Sequence, residues 1–249
     1  MRYFIHLNYN GKNYNGWQKQ IQSPTIQETI ESALSTLFQT TIEIVGCGRT
    51  DSGVNAQAYY AHFDAPYEIA KKILPRINKL LPGDIGIYDF LKTTPAAHSR
   101  FDATARTYKY FIHFQKNAFL QDRSYWLYNY DFNLTKMNDA AAVLLSYSDF
   151  STFEKKGSDN KTSICSIKSA KWEVLNDNQW CFTITADRFL RNMVRRIVGT
   201  LLMVGLDRLT IEEMKAALNK HDILEVNIAP PAHGLFLWQI DYPANLFIE

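Results

Sequence analysis

The 249-residue chain is poor in cysteine, in long apolar runs and in net charge. Its three cysteines, Cys47, Cys165 and Cys181, are odd in number and widely spaced. That pattern reads as buried reduced thiols of an intracellular protein, not as a disulfide framework. No Cys-x-x-Cys or His-x-x-x-His pair occurs, so no metal site is expected. The longest apolar stretch, 197–206, falls well short of a bilayer span, and the mixed start Met1-Arg2-Tyr3-Phe4-Ile5-His6 does not read as a signal peptide. A cytoplasmic protein with no membrane association is expected. Lys and Arg number 27 against 25 Asp and Glu, a net charge of only +2, which argues against a histone-like or tail-driven nucleic-acid binder.

What is present is globular: 46 % hydrophobic and 21 % charged residues exclude a disordered chain, and the length allows one large domain or two smaller ones. Tyr3, Ile5, Leu7 and Tyr9 alternate as in a strand. A turn-rich loop at 10–16 precedes a helix carrying Ile26, Ile30, Ala33, Leu34 and Leu37 on one stripe, with Ser23 as its expected cap and Pro24 in its first turn. Strands are expected at 41–47, 56–63 and 85–91, with a helix at 69–81 despite Pro75. The pattern then restarts: strand 108–114, helix 134–145, a hairpin of 167–174 and 180–186, helix 190–204, a capping box at Thr210-Ile-Glu-Glu213, and a closing strand 235–242. Tyr-Phe-Ile-His occurs at 3–6 and again at 110–113, which makes an internal duplication plausible. The expected fold class is α/β (α+β): two similar subdomains, 1–105 and 106–249, sharing a continuous, mainly antiparallel mixed sheet with helices on one face and a catalytic cleft between them.

Neither half is basic, but two segments are. Between His98 and Lys116, four basic residues stand against Asp102 alone, and between Arg188 and Arg196 there are four arginines and no acid. On a helix through 190–204, Arg191 and Arg195 would lie one turn apart on the flank of a buried face, able to reach a common anion or simply to be solvated.

The run Gly46-Cys47-Gly48-Arg49-Thr50-Asp51-Ser52-Gly53-Val54 carries the most chemistry. Three glycines after a β-branched stretch mark a turn in which backbone approaches something closely. Arg49 and Asp51, two apart, would point the same way in an extended turn. They can form a bracing ion pair, or a site whose carboxylate is held ionised and ready to attack. The run lacks the Gly-Lys-Ser/Thr ending of a phosphate loop.

This run resembles the Gly-Arg-Thr-Asp-x-Gly-Val motif of the tRNA pseudouridine synthase A family. The resemblance extends in order along nearly the whole chain: Tyr9-Asn10-Gly11, Tyr14 and Gly16-Trp17-Gln18; Leu81-Pro82-Gly83-Asp84-Ile85; Arg100-Phe101-Asp102-Ala103 with Arg106-Thr107-Tyr108-Lys109-Tyr110; Phe189 with Met193-Val194-Arg195 and Ile197-Val198-Gly199; and Ala232-His233-Gly234-Leu235 with Asp241-Tyr242-Pro243. The chain departs from the family pattern at Asn55, where His is frequent, at Asn10, where Asp is common, and at Leu190-Arg191-Asn192.

The resemblance implies an isomerase that converts uridine to pseudouridine in the anticodon stem-loop of tRNA, at positions 38, 39 and/or 40, without a cofactor. It makes Asp51 the essential carboxylate, acting on C1′ or removing the 2′ proton. Tyr108 would stack on the target base, Arg49 would take the space that the flipped base leaves, and Arg195 would pair with Asp51. Lys19, Arg100, Arg106 and Arg191 are the candidate phosphate contacts, and a homodimer binding one tRNA across both subunits is implied. Two rival readings remain: a catalytically silent tRNA-binding or folding module on the same scaffold, and an N-glycoside hydrolase that uses Asp51.

Overall fold

The computed structural model describes residues 1–155, 157, 161–224 and 228–248. Among the described residues there are nine strands and five α-helices, and the strands pair in a mixed, mostly antiparallel pattern. Among the described residues, no helix is long and apolar enough to cross a membrane. All three cysteines are buried and none is in a disulfide. The chain divides into two compact units, Met1–Thr104 with Phe236–Glu249, and Ala105–Leu235.

In the first unit, β1 (Arg2–Tyr9) lies between β4 (Ile85–Lys92) and β3 (Asn55–Asp64), antiparallel to both. The far side of β3 takes β2 (Val45–Gly46) toward one end and, in parallel, β9 (Leu235–Asp241) at the other. β1 is central, so Phe4 is as fully buried as Ile5 and Leu7, and simple alternation is lost. Helix α1 (Ile26–Phe38) buries Ile26, Ile30 and Leu34 completely, about 1.5–3 kcal/mol of apolar transfer apiece. Its cap is Thr25, whose side chain accepts from Glu28 N–H, and not Ser23: the chain is still extended at Thr25 (φ −132°, ψ 155°).

The strand expected at 41–47 shrinks to Val45–Gly46 because α1 side chains take its donors: Ile42 N–H donates to Ser35 Oγ (2.9 Å) and Ile44 N–H to Glu31 Oε1 (3.1 Å). The helix expected at 69–81 is a 3₁₀ turn followed by α2 (Leu74–Leu80), with Pro75 in the first turn, where its missing N–H costs nothing.

In the second unit, β5 (Ala105–His113) pairs antiparallel with β8 (Gln179–Ala186), and β8 with β7 (Ile167–Asn176). The short β6 (Tyr125–Trp126) runs parallel to β5. Helices α3 (Leu134–Val143), α4 (Met193–Gly205) and α5 (Ile211–Lys220) complete it, α5 opening on the expected capping box of Thr210 and Glu213. Helix α4 starts three residues later than expected. Asn192 adopts a left-handed conformation (φ 62°), which puts Arg191 before the helix, so Arg191 and Arg195 are not one helical turn apart.

With the short β6 set aside, both units share an order of elements: strand, helix, then two strands of which the second lies against the first (β1-α1-β2-β3 and β5-α3-β7-β8). The repeated tetrapeptide does not mark that repeat, since it opens β1 but closes β5.

Candidate active site

Asp51 lies in the turn joining β2 to β3, and the neighbouring chain holds that turn from several directions. Trp17 N–H donates to Thr50 O (3.2 Å), Gly53 N–H donates to Tyr14 O (3.3 Å), and Val54 N–H closes the turn onto Asp51 O (3.2 Å). The Thr50 hydroxyl lies 2.8 Å from the Tyr9 hydroxyl in a buried contact, and Ser52 Oγ donates to Tyr14 O (3.2 Å). Beneath the turn, Trp17 and Tyr59 stack with ring centroids 4.0 Å apart, and the Tyr59 hydroxyl donates to Gly48 O. Burial pushes the Tyr59 phenol well above its ordinary range, so it stays a protonated donor.

The loop before α1 approaches closely enough to require glycine. Gly16 has φ +86°, and a Cβ there would stand 2.3 Å from Thr50 O. Of the three glycines in the Asp51 run, Gly46 makes the expected close approach: a Cβ there would sit 2.2 Å from the Tyr59 hydroxyl. Gly48 instead faces open space.

Asp84, in the Leu-Pro-Gly-Asp-Ile segment, anchors the same loop from the other side. Its carboxylate accepts from the Tyr14 hydroxyl (2.6 Å) and Asn13 Nδ2 (3.1 Å), and its carbonyl from Asn10 N–H (2.9 Å). Burial, reinforced by this carboxylate, raises the Tyr14 phenol far above its usual range. Two of the departures from the family pattern meet here: Asn10 Oδ1 accepts from Lys12 N–H (3.0 Å), and buried Asn55 Oδ1 accepts from Gly11 N–H (2.9 Å). Both are neutral amides bonded to backbone, and both leave the Asp51 turn intact. Spacing alone did not reveal what Asp84, Asn55 and Tyr59 do. The Asp84 signal lay in the motif match, whereas Tyr59 read only as a strand residue.

Among the described residues of its unit the half-buried Asp51 carboxylate accepts no hydrogen bond and makes no ion pair, and Arg49, two residues away, is exposed. The Arg49–Asp51 brace is therefore absent, and backbone bonds and aromatic rings hold the turn in its place. Lys19 is exposed, with Nζ 3.4 Å from the buried carboxylate of Glu31, and Arg100 is exposed.

The remaining site residues lie in the second unit. Tyr108 on β5 is half-buried, opposite Ile184, with the Phe189 ring edge-on to it at 5.1 Å and 87°. Such a contact fixes a ring's orientation while leaving part of it accessible. Arg106 Nη1 donates to Asp187 O (2.7 Å). Arg195, in the first turn of α4, donates from Nε to Pro230 O (2.7 Å), and Arg191 is exposed.

A family model described as tRNA pseudouridine synthase matches residues 140–243. The tRNA pseudouridine synthase A of Parabacteroides distasonis is 47 % identical over 248 residues, 99 % of this chain and 98 % of that protein. Its counterpart in Bacteroides thetaiotaomicron is 44 % identical over 251 residues, covering 100 % and 93 % of the two chains. That of Bacillus subtilis is 34 % identical over 246 residues, 97 % and 99 %. With this similarity running the length of the chain and the Asp51 turn held as described, the chain belongs to the tRNA pseudouridine synthase A family of isomerases.

Proposed function

We propose that the chain isomerises uridine to pseudouridine in the anticodon stem-loop of tRNA, at positions 38, 39 and/or 40, with Asp51 as the essential carboxylate. One observation carries the assignment: Asp51 stands in a turn pinned on both sides, with its carboxylate committed to no partner in its own unit. In the reaction the C1′–N1 bond breaks, the uracil turns, and C5 joins C1′. The C5 proton leaves and N1 gains one, so nothing is oxidised and no group is lost. The carboxylate either adds to C1′ or removes the 2′ proton, and both routes need it ionised and fixed in place.

The family resemblance gives Tyr108 the target base and gives Arg195 the Asp51 carboxylate. A base in a stem must leave its stack, a cost of about a few kcal/mol that aromatic stacking and phosphate contacts offset, with Arg49 filling the gap. Arg100 and Arg191, both with exposed side chains, are candidates for phosphate contact, as are Lys19, beside Glu31, and Arg106, bonded to the Asp187 carbonyl. A homodimer in the cytoplasm, with one tRNA across two copies, completes the reading.

The test is to incubate wild type and Asp51→Ala with unmodified tRNA and analyse the RNA by mass and by nucleoside content. Pseudouridine at unchanged mass from wild type alone, with binding kept in the variant, supports the assignment. Equal product from both would remove Asp51 from the reaction. Free uracil with an abasic site would identify a hydrolase, and binding without product in wild type a silent RNA-binding module.

A further inference from the structure

In the first unit, a groove of about 220 Å³ lies beside the Asp51 turn, lined by Gln18, Val45, Gly48, Arg49, Arg100 and Phe101 among others. Phe101 is 73 % exposed, which is unusual for so large an apolar ring. It is nevertheless held from beneath. His98 N–H donates to Asp102 Oδ2 (2.7 Å), and Asp102 N–H returns to His98 O (3.1 Å). His98 Nδ1 accepts from Arg100 N–H (3.1 Å), and the His98 ring lies 4.2 Å from the Phe101 ring. Two residues before Phe101, buried Ser99 donates from its hydroxyl to Val45 O (2.7 Å) and from its N–H to His62 Nδ1 (3.2 Å), and its carbonyl accepts from the Tyr242 hydroxyl (2.5 Å). The Arg100 guanidinium carbon stands 5.7 Å from the Phe101 centroid. Among the described residues no acid lines this groove.

A held, exposed aromatic face beside a guanidinium is the chemistry that binds one unpaired nucleotide: the base stacks on the ring and the phosphate meets the arginine. A missing side chain at Gly48, where a Cβ would meet nothing within 4 Å, leaves room for it. We propose that Phe101, with Arg100, forms a stacking subsite for one unpaired nucleotide of the RNA substrate, adjacent to the reacting uridine. This rests on the function proposed above and adds a second base contact to it, separate from the one given to Tyr108.

The probe is an RNA hairpin with an unpaired loop, carrying 2-aminopurine at one loop position at a time. It is titrated with wild type, Phe101→Ala and Phe101→Trp. Wild type and Phe101→Trp should quench one loop position. Phe101→Ala should leave that position bright and bind about 10-fold more weakly, with an unchanged thermal midpoint because the ring is exposed. Arg100→Gln should lower the salt dependence of binding by about one counterion. Equal quenching and affinity in wild type and Phe101→Ala would overturn the subsite. So would equal losses in Phe101→Ala and Phe101→Trp, which would indicate shape rather than stacking. Pseudouridine is measured in the same samples, so a wild type that quenches without forming product refutes the catalytic reading and leaves the subsite standing.

Discussion

The turn carrying Asp51 and the arginine-rich segment 188–196 use polar residues in opposite ways. Around Asp51 the groups that do the holding are backbone amides, hydroxyls and buried rings, and among the described residues of its unit the Asp51 carboxylate is left uncommitted. In 188–196 the charges themselves do the holding. Arg188 donates to Thr162 O (3.3 Å), Arg195 to Pro230 O (2.7 Å), and Arg196 to Glu154 O. A run of four arginines looks like an anion patch when counted, yet three of them spend donors on main-chain carbonyls. Local charge density by itself therefore does not separate arginines that brace the chain from arginines left for a ligand.

The sharpest break in this contrast is Asp51→Ala. Turnover should fall about 10³-fold or more while RNA affinity and thermal midpoint stay near wild type, because the scaffold does not depend on the carboxylate. Single-turnover assays and melting curves check both halves of that expectation. Gly16→Ala attacks the scaffold instead. A Cβ 2.3 Å from Thr50 O at φ +86° should cost about 2–4 kcal/mol in urea unfolding and reduce turnover by displacing the turn. An active, equally stable Gly16→Ala would show that the turn does not rely on this contact.

Acid probes the neighbouring brace. Burial, and then His98, lower the His62 pKa to about 4, from about 6.5 when unfolded. The unfolded chain takes up this proton first, so the stabilisation is complete above about pH 6.5 and is lost as pH falls toward 4, by about 2–3 kcal/mol. Urea titrations at pH 7 and pH 4.5 should show that loss in wild type and much less of it in His62→Gln. The smallest effects separate the arginines. Arg196→Ala should lose about 1–2 kcal/mol of stability. Arg191→Ala should change stability by less than about 0.5 kcal/mol but weaken RNA binding, with a salt slope lower by about one. The reverse ranking would erase the distinction between structural and exposed arginines.

Strong local signals were readable along the chain. The span of β1, the stripe of α1, the Thr210 capping box and the hairpin of β7 and β8 all form where the apolar pattern and turn residues place them, although the central position of β1 buries Phe4 as well. Misreadings arose where a side chain outside the local pattern took a backbone donor, or where one residue left the helical region. Ser35 and Glu31 capture the donors of 42 and 44 and shorten β2, and a left-handed Asn192 delays α4. The same reason hid the supports of the site: Tyr59, Asn55 and Asp84 act on residues 11, 44 and 70 positions away, beyond any local pattern.

By itself the sequence determined which elements form, that Asp51 sits in a glycine-bounded turn, and which family the motifs resemble, because these depend on residue type and short spacing. Only the tertiary structure decided what that turn rests on and that Arg49 does not brace it. Only the tertiary structure, too, leaves Phe101 bare on a loop tied down by His62, Ser99 and Tyr242. The physical reason is that a hydrogen bond or a ring contact takes whichever partner the fold delivers, and the fold delivers it across long stretches of chain.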